Sequence, residues 1–178
     1  MAHLVAFEQI YKDYKNLVYN LSLHYVLNPE DAQDITQEVF VKVHQRYHQY
    51  DEATASFKTW ICRITINHSL DFLKAKKTKK LFGFLTSLLN PETNEPVDSV
   101  FTINHPGIVA EAKEELNILL RIIHSLPQKQ KTVIILAKIE DRPQQEVALI
   151  MNTSVKAVES LLQRTKQTIA KKLKDTEG

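Results

Sequence analysis

The chain has 178 residues, 43% hydrophobic and 25% charged, with 23 Lys and Arg against 21 Asp and Glu. This composition excludes disorder throughout and fits one large domain or two small ones. Three glycines, Gly83, Gly107 and Gly178, are too few for a Gly-rich phosphate loop or all-β turns, so Walker-type and Rossmann nucleotide sites are excluded.

Between residues 4 and 26, Phe7, Ile10, Tyr11, Tyr14, Val18, Leu21 and Tyr25 recur every three or four positions, the stripe of an amphipathic helix. Asn28-Pro29 ends it and starts a second helix, with Asn28 as N-cap, Pro29 in the first turn, and Glu30 and Asp31 at the positive end of the dipole. Its apolar face is Ala32, Ile35, Val39, Phe40, Val43 and Tyr47, and it is expected to run to about Tyr50. The polar stretch Asp51 to Ser56 precedes a third helix carrying Phe57, Trp60, Ile61, Ile64 and His68, expected to close among Lys74, Lys76, Lys77, Lys79 and Lys80. From Leu81 the period is lost. Pro91, Pro96, Pro106 and Gly107 mark residues 90–108 as a linker, although Leu81 to Leu85 is apolar enough to dock on something.

Helical spacing returns at Ala112, Leu116, Leu119, Ile123 and Leu126. Pro127 opens a further helix with Val133, Ile134, Leu136 and Ala137, and Asp141-Arg142-Pro143 starts a short one to about Met151. A last long helix from Val155 to Leu173 turns Val158, Leu162, Thr165, Ile169 and Leu173 inward. The expected fold is all-α, seven helices with no strand. The domains are a three- to four-helix N-terminal domain over 1–80, an acidic flexible linker over 81–111, and a four-helix C-terminal domain over 112–178.

Charge is segregated along the chain. Residues 1–80 carry 11 basic against 9 acidic side chains, 81–115 carry 1 against 6, and 116–178 carry 11 against 6. Two basic or mixed ends around an acidic middle suit two modules that touch a polyanion through a connector that avoids it. Cys62, the single cysteine, rules out an internal disulfide and a Cys-based zinc cluster, and is expected to be a small buried hydrophobe. With no signal-peptide pattern at Met1 and no apolar run near the ~20 residues a span needs, a cytoplasmic protein is expected.

The most specific local pattern is Pro143 to Gln163. A helix-turn-helix needs a small residue at the helix crossing, a left-handed turn residue four positions later and an apolar anchor six after that; Ala148, Asn152 and Val158 fill these slots. The second helix then presents Lys156, Glu159, Ser160, Gln163 and Arg164 outward, with Lys166, Lys171, Lys172 and Lys174 near phosphates. The competing assignment is a helical hairpin with a solvated basic face. Lys58 and Thr59 precede a second stripe, Trp60, Arg63, Asn67, Asp71 and Lys74. A cation, an amide and an aromatic so arranged suit unstacked bases, while core packing of Trp60 and solvated charges explain it equally well. Asp31, Asp34 and Glu38, with Gln37 beside them, form an acidic ridge that fits Mg²⁺ chemistry less well than a docking surface. His44 and His48 lack a third metal ligand, and no cofactor is expected.

Taken together, Glu30 through Phe40, Phe57 through Asn67, and Leu126-Pro127 through Leu173 resemble the extracytoplasmic-function (ECF) group of bacterial RNA polymerase sigma factors. The resemblance spans nearly the whole chain outside 81–110. It implies that Asp34, Gln37 and Glu38 dock on the clamp helices of the polymerase largest subunit. It also implies that Arg63 and Asn67, with the loop 51–56, melt the minus-ten element and hold an extruded base, supported by Lys58, Trp60 and Lys74. Lys156, Glu159, Ser160, Gln163, Arg164 and Lys166 would read the minus-thirty-five element, and the acidic linker would thread the RNA exit path. The implied partners are core RNA polymerase, promoter DNA and an anti-sigma factor; no catalysis is implied. Three departures stand out. Glu159 and Leu161 occupy positions often basic in the family, and Pro143 leaves Asp141 or Arg142 to cap its helix. No further domain is expected after Gly178. Two other readings compete: a stand-alone helix-turn-helix regulator with 1–80 as dimerisation or effector module, and a Mg²⁺-dependent nuclease on Asp31, Asp34 and Glu38.

Overall fold

In a computed structural model of the chain, residues 2–89 and 110–177 are described. Seven α-helices form in order: α1 (Ala2–Val26), α2 (Pro29–Arg46), α3 (Phe57–Leu89), α4 (Ala110–His124), α5 (Gln128–Ile134), α6 (Gln144–Ile150) and α7 (Val155–Glu177). A 3₁₀ turn at Tyr47–Gln49 follows α2, and a π turn at Ile135–Ile139 extends α5. The described residues contain no strand. The expected linker 90–108 lies outside them.

Local chemistry sets the ends of these helices. Leu27 leaves α1 in the left-handed region, φ 53°. The Asn28 side chain then accepts from the Asp31 amide at 2.8 Å, with Pro29 in the first turn of α2, so one orphan N–H is satisfied and a second is absent. At α3, Ser56 Oγ accepts from the Thr59 amide at 3.2 Å. Two endings differ from expectation. First, α3 does not stop among its lysines but continues as helix to Leu89, because lysine is a good helix former and neither proline nor a cap interrupts it before Pro91. Second, neither Asp141 nor Arg142 caps α6. Pro143 occupies the N-cap without a side-chain bond, Asp141 takes the bend at φ 48°, and Arg142 is drawn inward by two carboxylates.

α1, α2 and α3 pack on Val18, Leu21, Tyr25, Ile35, Val39, Val43, Ile61 and Cys62, all essentially inaccessible. α4 to α7 pack on Val133, Ile135, Leu136, Val147, Val158 and Leu162, and the two groups join in one continuous core. Cys62 behaves as the expected hydrophobe: it is 1% exposed, and burial pushes its thiol up to about 11.

Candidate nucleic-acid and polymerase interfaces

Asp34, Gln37 and Glu38 all stand exposed on α2, opposite its buried stripe. Glu38 meets His68 of α3, Oε2 to Nε2, at 2.6 Å, while Lys42 Nζ approaches His68 Nδ1 at 2.6 Å. Lysine can only donate, so that contact assigns the ring proton to Nε2. Asp31 is held apart from the ridge by Lys76 of α3 at 2.5 Å. Two of the three acids of the Mg²⁺ reading have basic partners, His68 and Lys76, and no group of three possible ligands forms among the described residues. His44 lies edge-on to Phe7, ring centroids 5.0 Å apart. His48 lies exposed beside Gln49.

The loop after α2 is a built turn. Asp51 accepts from the Ala53 amide and the Thr54 hydroxyl, which lowers its carboxyl below the usual range. Beside it, Tyr14, Tyr47, Tyr50, Phe57 and Trp60 form an aromatic cluster with neighbouring centroids 5.0–6.4 Å apart. Trp60 belongs to this cluster and is only partly buried. Along the same stripe Asn67 is exposed, and Lys74 pairs with Asp71 at 3.3 Å.

The helix-turn-helix forms on the expected residues. Ala148 is 4% exposed at the crossing, Asn152 takes φ 51° in the turn, and Val158 anchors α7 at 0% exposure. Ser154 Oγ accepts from the Ala157 amide at the start of α7. Lys156, Glu159, Ser160, Gln163, Arg164 and Lys166 are exposed, whereas Val158, Leu162 and Thr165 are buried. The result is a polar face next to a tight turn, which can enter a major groove.

Sequence reasoning did not foresee that the two halves close on each other. Tyr25 Oη donates to Thr132 Oγ1 across the seam at 3.0 Å, and burial raises its phenol well above the ordinary range. His24 of α1 meets Glu140 at 2.8 Å, holding that carboxyl below its usual range. Arg142, 8% exposed, bonds Glu146 at 2.6 Å and Glu140 at 3.4 Å. Lys58 reaches Glu146 at 3.4 Å, and an Arg63 guanidinium nitrogen donates to the Leu149 carbonyl at 2.6 Å. Two expected minus-ten residues, Lys58 and Arg63, are therefore engaged by α6. The sequence reading weighed Arg142 only as a cap for α6 and did not single out Lys129, since an Arg before a proline and a Lys in the first turn of a helix carry no pattern.

Residues 10–79 match the family model for sigma-70 region 2, and residues 116–169 that for sigma-70 region 4. Together the matches span more than two-thirds of the chain. The ECF RNA polymerase sigma factor SigW of Bacillus subtilis is 28% identical over 176 residues, covering 96% of this chain and 90% of SigW. The ECF RNA polymerase sigma-E factor of Escherichia coli K12 is 26% identical over 168 residues, covering 94% and 86%. The chain belongs to the ECF group of sigma factors. As a sigma factor it directs RNA polymerase to promoters, and its members regulate transcription initiation. The stand-alone regulator is not favoured, because region 2 occupies the half that reading reserved for dimerisation or effector binding. Two solved structures share the sigma factor's fold. CnrH, solved with the cytosolic domain of CnrY, aligns at TM-score 0.63 and 20% identity, covering 98% of this chain and 91% of CnrH. RpoE of Bartonella quintana, solved with the anti-sigma factor NepR, aligns at 0.62 and 13% identity, covering 95% and 97%. No helix among the described residues is long and apolar enough to cross a membrane.

Proposed function

We propose a division of labour within this sigma factor. Residues 1–80 form a module that docks on core polymerase through Asp34, Gln37 and Glu38 and opens the minus-ten element with Lys58, Trp60, Arg63, Asn67 and Lys74. Residues 81–111 connect it, beginning as a continuation of α3, to a module over 112–178. There α7 reads the minus-thirty-five element through Lys156, Glu159, Ser160, Gln163, Arg164 and Lys166. The sigma factor works in the cytoplasm, catalyses nothing itself, and is held in check by an anti-sigma factor, as RpoE is solved with one.

The observation that carries this reading is the polar face of α7, six exposed hydrogen-bonding side chains set behind a left-handed turn at Asn152. Glu159 is its sharpest test, since an acid near duplex phosphate either accepts from a cytosine amino group or only repels the backbone. Lys156 and Arg164 flank it and offset the repulsion. Glu159→Gln is expected to lower discrimination at one base pair by roughly 1–3 kcal/mol with non-specific affinity little changed. Holoenzyme affinity over a set of minus-thirty-five variants at two salt concentrations measures this. Uniform tightening on all sequences would make Glu159 a repulsive neighbour, and no change in affinity or preference would remove this face from DNA.

A further inference from the structure

Between the two halves lies a cleft of about 510 Å³, within the range of small-ligand sites. Three cations line it from three separate helices: Arg63 of α3, Lys129 of α5 and Arg164 of α7. Among the described residues, no carboxylate lines it. None of the three is in an ion pair among the described residues, in contrast to Lys58, Lys74, Lys76 and Arg142 nearby. Arg63 uses one nitrogen on Leu149, and its Nε is buried without a hydrogen-bond partner. Asn67 lines the same space, as does Ala157 in the first turn of α7, whose dipole adds positive potential. Like charges drawn together without a counter-charge oppose closure of the seam, whereas an anion between them reverses the sign of that term.

We infer that the closed cleft is a binding site for a short chain of phosphates, two or more in length, which bridges Arg63 to Lys129 and Arg164 and clamps the two halves together. The inference rests on Arg63, Asn67 and Arg164 serving as phosphate- and base-contacting groups in the open sigma factor. The same groups are reused when it closes. A duplex, whose major groove alone is about 12 Å wide, does not fit a cleft of this volume, so the clamp and promoter binding exclude each other. Guanidinium forks take phosphate oxygens in pairs, which favours a multiply charged chain over a single monovalent anion. The chain can come from inorganic polyphosphate or from a nucleoside polyphosphate. The apolar side of the cleft, Ile66, Leu70, Ile150 and Leu161, leaves room for either.

The test uses the full chain and calorimetric titration with sodium tripolyphosphate and, separately, ATP without metal, each with KCl adjusted to constant ionic strength. Saturable one-site binding is expected, weakened at least tenfold by Lys129→Ala and by Arg164→Ala, with small-angle scattering showing the compact form retained at saturation. Both side chains are exposed, and unchanged far-UV circular dichroism verifies that the variants fold. Tighter binding of ATP, or of tripolyphosphate, supports the site and tells which source fits it. Heats no larger than those of ionic-strength-matched sulfate, or binding indifferent to Lys129→Ala, would overturn the inference. Promoter discrimination by the holoenzyme is measured in parallel. If it is normal while tripolyphosphate fails to bind, the cleft alone is refuted; if Arg164→Ala loses tripolyphosphate but spares promoter binding, the cleft stands and the role of Arg164 on DNA falls.

Discussion

Arg63 shows how one side chain takes part in two arrangements. Its donation to the Leu149 carbonyl belongs to the closed chain, while its place one turn before Asn67 suits it to a strand that has been pulled apart. Asn67 is exposed and accepts no such engagement from α6, so its amide remains presented for a base edge. Capturing an extruded base offsets an unpairing cost of roughly a few kcal/mol, and a template already melted removes most of that cost. Asn67→Ala is therefore expected to reduce open-complex formation more on duplex promoters than on templates pre-melted over the minus-ten element. Permanganate footprinting of both template types checks it, and equal loss on both would assign Asn67 a structural role.

Helices α2 and α7 were legible because their signals are local. Asn28 with Pro29 announces a helix start, and Asn152 can fill a left-handed slot usually given to glycine because its short amide tolerates positive φ. The end of α3 was not legible, since a run of lysines reads equally as a helix terminus favoured by the dipole and as more helix. The exposed ridge of α2 sets up a test at the scale of a whole face. Asp34→Lys reverses a charge that no ion pair holds among the described residues, whereas Glu38→Lys would also disturb His68 and bring two ammonium groups together at Lys42. Asp34→Lys is expected to slow association with core polymerase at least several-fold, with helical content unchanged. Surface-resonance kinetics with immobilised core enzyme reads this, and undiminished association would remove the ridge from the interface.

The seam between the halves was invisible to periodicity, because it joins residues as far apart as Tyr25 and Thr132, 107 positions along the chain. Its charges make closure sensitive to acid. Burial, with Lys131 nearby, lowers His124 to about 4 from an ordinary 6.5, so the folded chain keeps this ring neutral. The stability that neutrality represents is present above pH 6.5 and is lost as the pH falls toward 4, roughly 3 kcal/mol at the upper limit. Glu140, depressed chiefly by its bond to His24, adds a further loss below the ordinary carboxylate range. His124→Gln is expected to flatten the decline between pH 6.5 and 4, measured by urea denaturation at stepped pH. Cys62 lies within the electrostatic reach of Arg142, Glu146 and Lys58 on this seam. As thiolate rather than thiol is the nucleophile, the buried sulfur is silent toward alkylating reagents while the halves stay together. If binding to core polymerase parts the two modules, maleimide labelling of Cys62 is expected to accelerate, which makes the single thiol a stopwatch for that motion.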